Sequence, residues 1–245
     1  MPIVTLTTDF GHKDYSVSVI KGALMQQIAD IKIIDISHEI SPYNPSETAY
    51  ILKNAFRSFP NGSIHIIGVE SEWTPENVNL VMEFEEHYFI CSDNGILSMI
   101  KDDLAATKIV EINIHGKIVS AFPVFDIFIN VAAHLARNGK LEVIGKSVKE
   151  VKELTDIKPV INKDKNQILG SVIYIDNYGN LITSIKESLF LEVGKSRNFT
   201  IFARSVKFKK FSKAIAKQLI LNYQKVKEKK MEKKLRYLIQ QVILN

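Results

Sequence analysis

Thr7-Thr8-Asp9-Phe10-Gly11, with Asp14 three residues further on, joins a strand to a helix and orders the chain around it. It follows the apolar run Ile3 to Leu6, which reads as a short buried strand. It precedes Ser16 to Ile28, where apolar residues recur at helical spacing. A strand that ends in Thr, Asp and Gly and turns into a helix sets two carboxylates at the carboxyl end of a sheet. Open α/β sheets bind their ligands at that edge. Asp9 and Asp14 equally suit the cap and first turn of the helix, where Asp satisfies free N–H groups. Spacing alone leaves both roles open.

Outward from this stretch the pattern repeats. Ile31 to Ile36 is a β-branched run, closed by Ser37-His38-Glu39 and the turn Pro42-Tyr43-Asn44-Pro45. Ser46 is expected to cap a helix running through Phe56. Phe59-Pro60-Asn61-Gly62 is a second turn before a strand from Ser63 to Val69. Glu70 to Asn77 is a polar loop, and Leu80 to Phe84 pairs with His87 to Cys91 around Glu85-Glu86. Ser92-Asp93-Asn94-Gly95 opens a short helix, Ile96 to Lys101. Strand, loop and helix alternate up to Ala136, which predicts an α/β domain over 1–150 with a largely parallel sheet. The charged stretch 138–170 holds the domain boundary. Strand character resumes over Gly170 to Ile185, broken by Asp176 to Asn180. With Asn198 to Val206 this gives a small β domain over 165–212, followed by a basic tail, 213–245.

The bulk properties narrow the function. The chain has 245 residues, 46% of them hydrophobic and 24% charged, an ordinary globular composition. No run reaches the roughly 20 apolar residues of a membrane span. The start lacks the basic and apolar regions of a signal peptide, and Cys91 is a single cysteine, so a reducing cytoplasm is expected. The net charge is +5, yet residues 206–245 alone carry 12 Lys and Arg against 2 Asp and Glu. The body is mildly acidic, and the high isoelectric point is no argument for nucleic-acid binding. No phosphate-binding glycine loop or zinc spacing occurs. His134 reads as a packed helix residue and His38 as structural. Polar residues gather instead at the ends of strands: Asp9/Asp14, Tyr43, Glu70/Thr74, Asp93/Asn94 and Tyr178/Asn180. Carboxylates for ribose hydroxyls, aromatics for a base and amides for its edge would suit a nucleoside.

TLTTDFGHKD and KGAL, then IDISHEISPYNPSETAY, FPNGSIHIIGVE, CSDNGILS and IYIDNYGNLITSI run in one order along residues 2–206. In this the chain resembles the S-adenosylmethionine (SAM) hydroxide adenosyltransferases, or SAM hydrolases, relatives of the fluorinases and chlorinases. The resemblance implies a larger α/β domain followed by a small β-barrel, incomplete here. It implies a homotrimer with sites between subunits, and SAM as substrate with no cofactor or metal. It places Asp9 at the ribose hydroxyls, Asp14 at the methionine part and Tyr43 beside the nucleoside, with Tyr178 and Asn180 at adenine. The chemistry implied is attack of water or hydroxide on C5′, expelling methionine. The family resemblance includes an Asp-Arg-His set for that step, and this chain departs at all three positions. Glu70 stands for the Asp, Asn77 for the Arg and Pro123 for the His. Glu70 is then the candidate to orient or deprotonate water, with Thr74 and Asn77 as polar neighbours. A SAM or adenosine sensor without catalysis and a halide-using adenosyltransferase are the alternatives.

The resemblance stops before the end of the chain. Family members continue with a motif close to N-S-x-G-x-L-E-I-A, whereas this chain offers the lysine-rich Lys213 to Asn245. Permissible codons for Leu235 to Asn245, read from their third nucleotide, spell ALFNSAGYIE. A native basic surface helix with a solvated face is one reading of this tail. The codon match supports the other, a change of reading frame near Ser212 or Lys213, which predicts that residues 213–245 pack poorly and leave the β domain incomplete.

Overall fold

The computed structural model describes the chain except at Trp73, Pro75, 114–119, 155–157, 204–205, 209–211, 214–217, 223–238 and Asn245. It divides into two compact units, Met1–Leu154 and Thr155–Asn245. Among the described residues no helix is long and apolar enough to cross a membrane.

The first unit runs β1 (Ile3–Thr8), α1 (Ser16–Gln27), β2 (Lys32–Ser37), α2 (Pro45–Ala55), β3 (Ile64–Gly68), β4 (Asn79–Phe84), β5 (His87–Ser92), α3 (Ile96–Lys101), β6 (Lys108–Ile112), α4 (Ile129–Ala136), α5 (Leu141–Ile144) and β7 (Gly145–Ser147). Its strands form one sheet in the order β2-β1-β3-β5-β4-β6-β7. β2, β1, β3 and β5 pair in parallel, and β4 is antiparallel to both β5 and β6. Five of the seven strands therefore point the same way, so the sheet is mostly parallel.

Both faces of this sheet are covered. Val4, Leu6, Ile66, Val81 and Ile90 pack with Ile20, Leu24, Phe128 and Ala132 of the α1 and α4 side. Ile67, Leu80, Met82 and Phe89 pack with Leu52, Phe56, Leu97 and Ile100 of the α2 and α3 side. Neighbouring residues of one strand thus serve opposite cores, as strand geometry requires. At about 25 cal/mol per Å2 of apolar surface removed from water, these two clusters are the main source of stability.

Local chemistry sets the element ends. α2 begins two residues before the expected start, and its cap is Asn44, not Ser46. The Asn44 side chain accepts from the Glu47 N–H at 3.1 Å. Pro45 takes the first helical position, where a missing N–H costs nothing. The β4–β5 turn puts Glu85 and Glu86 at φ of 49° and 61°. Left-handed backbone at both turn positions matches the twist of a two-residue hairpin. The Arg57 guanidinium holds Glu85 through two bonds of 2.6 and 2.7 Å.

Inside the sheet lies a buried histidine pair. His65 Nδ1 is 2.7 Å from Thr5 Oγ1, and His65 Nε2 is 3.1 Å from His87 Nδ1. The His65 ring stacks on Phe89 with centroids 4.8 Å apart. Burial pushes His65 down to about 3, and the neighbouring His87 adds to the shift. The pair is a neutral polar link across β1, β3 and β5, satisfied internally.

The second unit holds β8 (Val160–Ile161), β9 (Gln167–Ile175), β10 (Asn180–Lys186), α6 (Glu187–Gly194), β11 (Phe199–Ala203), β12 (Val206–Phe208), β13 (Ser212–Lys213), β14 (Gln218–Asn222) and β15 (Ile239–Leu244). They build an antiparallel sheet in the order β12-β11-β15-β9-β10-β14-β13, with β8 on β9. β15 pairs with both β9 and β11, and β14 pairs with β10. The sheet therefore continues past Ser212, where the sequence reading ended the β domain, and takes strands from the lysine-rich segment. Residues 223–238 of that segment lie outside the described residues. α6 was not expected, and it buries Phe190 and Val193.

Candidate active site

The parallel strands β1, β2, β3 and β5 deliver their carboxyl ends to one edge of the first unit. The residues that follow them there are Asp9, His38-Glu39, Val69-Glu70 and Asp93-Asn94. His38 is buried and serves as a strut: its Nδ1 lies 2.7 Å from Thr8 Oγ1, and its carbonyl accepts from Gly11 N–H at 2.7 Å. His38 Nε2 is 3.1 Å from Asp35 Oδ1, and Asp35 Oδ2 pairs with Lys21. Gly11 has a φ of +68°, a value that L side chains rarely adopt, so glycine lets the chain turn out of β1.

Asp9, Tyr43 and Glu70 come together at this edge. Asp9 Oδ2 accepts from the Tyr43 N–H at 3.1 Å. Burial pushes the Asp9 carboxyl above its usual range; hydrogen bonds from the backbones of Tyr43, Asp9 and Glu70 oppose this, and the charge of Glu72 adds to it. Burial likewise raises Glu70, with the Lys152 charge pulling it back and the Asp9 charge pushing it up. Tyr43 and Glu70 both have left-handed backbone, with φ of 55° and 45°. Non-glycine residues in that region cost on the order of 1–3 kcal/mol each and cluster where function needs the geometry. The Tyr43 side chain is 68% exposed, so its phenol is open to a ligand while its N–H braces Asp9.

Asn94 supports Glu70 from behind. It is buried, and its Nδ2 donates to the Val69 carbonyl at 2.9 Å and the Glu70 carbonyl at 3.2 Å. Its amide is thus spent on the backbone that aims Glu70, a role different from the ligand contact expected of it. Asp93 Oδ1 accepts the Lys152 N–H at 2.8 Å, and burial raises its carboxyl against that bond and the Lys152 charge. Thr74 and Asn77 form a small bridge, in which Thr74 Oγ1 and its carbonyl both accept from Asn77 N–H at 3.1 Å. Asn77 Oδ1 accepts from Lys152 Nζ at 3.0 Å. Lys152, absent from the sequence reading, thereby touches or influences Asn77, Glu70 and Asp93.

The remaining expected residues are Asp14, Tyr178 and Asn180. Asp14 is exposed and accepts the Ser16 N–H at 2.9 Å just before α1, which holds its carboxyl below the usual range. Tyr178 and Asn180 belong to the second unit. They sit on the β9–β10 turn, where Asp176 accepts from both backbones at 2.9 and 2.8 Å. Asn180 Nδ2 donates to Asp176 Oδ2 at 2.7 Å, and Tyr178 is 82% exposed.

Comparison with known proteins joins this geometry to a family. Residues 4–145 match the model of the SAM hydroxide adenosyltransferase N-terminal domain, and residues 170–230 that of its C-terminal domain. The chain belongs to the SAM hydroxide adenosyltransferase family. It is 32% identical over 193 residues to the (R)-S-adenosyl-L-methionine hydrolase of Methanocaldococcus jannaschii, covering 76% of this chain and 68% of the relative. It is 22% identical over 214 residues to a fluorinase of Actinopolyspora mzabensis, covering 75% of this chain and 71% of the relative. A crystal structure of an uncharacterized conserved protein from Thermotoga maritima superposes with a TM-score of 0.80 at 26% identity, covering 98% of this chain and 99% of the other.

Within this member of the family, the three departures from the resembling set have defined places. Glu70 faces the Asp9 cluster. Asn77 is turned to Lys152. Pro123 is buried and begins the π-helical turn Val124–Phe128 that leads into α4. Such turns occur frequently at functional sites. A proline there supplies no proton carrier, so the candidate acid–base chemistry of this edge rests on its carboxylates.

Proposed function

We propose that this member of the family hydrolyses SAM to adenosine and methionine, with Glu70 directing the attacking water. The observation that carries the reading is the pairing of Asp9 with Glu70 at the carboxyl edge of the parallel strands, in a chain 32% identical to a SAM hydrolase. Water oxygen bonds to C5′ while the C5′–S bond breaks, and its electron pair passes to sulfur. The sulfonium becomes the neutral thioether of methionine, so the leaving group needs no acid. One water proton is released, first to the Glu70 carboxylate and then to solvent. Asp9 accepts from the ribose hydroxyls, and Thr74 with Asn77 forms the polar wall beside Glu70. The remaining work is to hold the nucleophile in line behind C5′.

Glu70→Gln is the direct test, read by chromatography of adenosine and calorimetry of SAM binding. Turnover is expected to fall about 10²- to 10⁴-fold while affinity changes little, because a neutral amide cannot take the proton. Turnover in the wild type should rise with pH through a midpoint above the ordinary 4.5 of a glutamate, as the raised carboxyl ionises. Unchanged turnover in the variant would remove Glu70 from the mechanism. A second reading, a SAM or adenosine sensor, draws support from Asn77 and Pro123 in place of Arg and His. Tight binding with no adenosine formed would favour it.

A further inference from the structure

The segment after β7 carries a cation to the edge where the carboxylates gather. Lys152 reaches it from two sides: its N–H donates to Asp93 Oδ1 at 2.8 Å, and its Nζ donates to Asn77 Oδ1 at 3.0 Å. The segment is seated without the help of that amine. Val151 is buried in the α2–α3 core, and the Val148 N–H donates to the Ile109 carbonyl at 3.0 Å. Leu154 lies over Gly95, so close that a Cβ there would come within 2.3 Å of it. The side chain of Lys152 is therefore free to serve the site, while its backbone is fixed by others.

We infer that Lys152 is a positioning residue of the site: its backbone is fixed on Asp93 and its ammonium on Asn77, so that the loop carrying Asn77 is held in place and a positive charge stands among the carboxylates of the edge. The inference rests on the proposed role of Glu70. Among the described residues, the charged and titratable groups that act on Glu70 are Asp9 after β1, Cys91 of β5 and Lys152 of the segment after β7. Asp93 and Glu72 complete the cluster through Lys152 and Asp9. The four carboxylates concentrate negative charge, and among the described residues Lys152 is the cation that acts on both Glu70 and Asp93. Without it, the like charges of Asp9 and its neighbours would favour the protonated, inert form of Glu70. A lysine partner also explains how an asparagine can stand at position 77 without leaving the edge uncompensated.

The test separates this inference from the hydrolase reading. The full chain is labelled with 13C in its glutamate carboxyls, Glu70 is assigned by difference with Glu70→Gln, and its titration is followed in wild type, Lys152→Gln and Lys152→Arg. Lys152→Gln deletes the charge but keeps the backbone bond to Asp93, so the fold persists. Its Glu70 midpoint is expected to move up by about half a pH unit at low salt, a shift that shrinks as salt screens the charge. Lys152→Arg is expected to restore most of the wild-type value. In parallel, the acid limb of SAM turnover should move by the same amount in Lys152→Gln. A Glu70 midpoint within about 0.1 unit of wild type in both variants would overturn the inference, whatever the turnover. Loss of all turnover in the wild type, with the midpoint still moving, would overturn the hydrolase reading and leave the Lys152–Glu70 coupling standing.

Discussion

At Asp9 one carboxylate serves two ends. Its Oδ2 accepts the Tyr43 N–H and so braces a tyrosine with left-handed backbone, while the group as a whole faces the edge proposed for ribose. Asp9→Ala removes a charged acceptor, and SAM or adenosine binding is expected to weaken by about 1–3 kcal/mol in calorimetry. Affinity unchanged in a folded variant would mean that Asp9 only braces the loop. Sequence could place Asp9, because Thr-Asp-Gly after an apolar run marks a strand end wherever it occurs. It could not separate Asp9 from Asp14, since both suit the same turn. The difference appears only in three dimensions, where Asp9 meets Tyr43 and Asp14 meets the Ser16 N–H. Lys152 was illegible for a related reason: its partner Asn77 lies 75 residues away, and no local pattern announces the contact.

At the scale of elements, β1, β3 and β5 share a polar link in their core that ties stability to pH. His65 is held at about 3 in the fold against an ordinary 6.5, because burial disfavours its charged form. The unfolded chain therefore binds more protons between those values. The contribution of His65 is complete above pH 6.5 and is lost as pH falls toward 3, by on the order of 4 kcal/mol. Denaturant unfolding at several pH values should show this slope, and His65→Gln should flatten it. An equal slope in the variant would assign the acid sensitivity to carboxylates instead. The strands themselves were readable from runs of β-branched residues between Gly, Pro and Asn turns. The His65–His87 pair was not, because a search for metal-ligand spacing along the chain passes over side chains that meet across strands. α6 escaped notice because eight residues give a helical period little length in which to declare itself.

The lysine-rich segment poses the sharpest element-scale question. β14 and β15 lie within it, and β15 sits between β9 and β11 with Val242 buried. A chain ended after Lys213 lacks both strands. It is expected to lose the thermal transition of the second unit while the first unit still melts cooperatively. A second unit that melts unchanged would show that these strands add nothing, and would return attention to the frame change read from the codons. Its basic composition gave sequence reading a solvated tail, since charge hides the short apolar stretches Gln218–Asn222 and Ile239–Leu244.

For the whole molecule, fold and family follow from one arrangement: a mostly parallel sheet covered on both faces, whose carboxyl edge collects the polar loops. That arrangement was legible because the quoted motifs keep their order along the chain. The candidate set was less so, since all three of its family positions have changed side chain and the substituting contacts are long-range. The central claim is that water attacks C5′ of SAM at this edge. It is tested most directly by incubating the purified protein with SAM in water enriched in 18O and weighing the products by mass spectrometry. The account predicts adenosine heavier by one 18O, methionine without label, and neither product from Glu70→Gln beyond the uncatalysed background. Adenosine without label, or SAM bound and recovered intact, would contradict it.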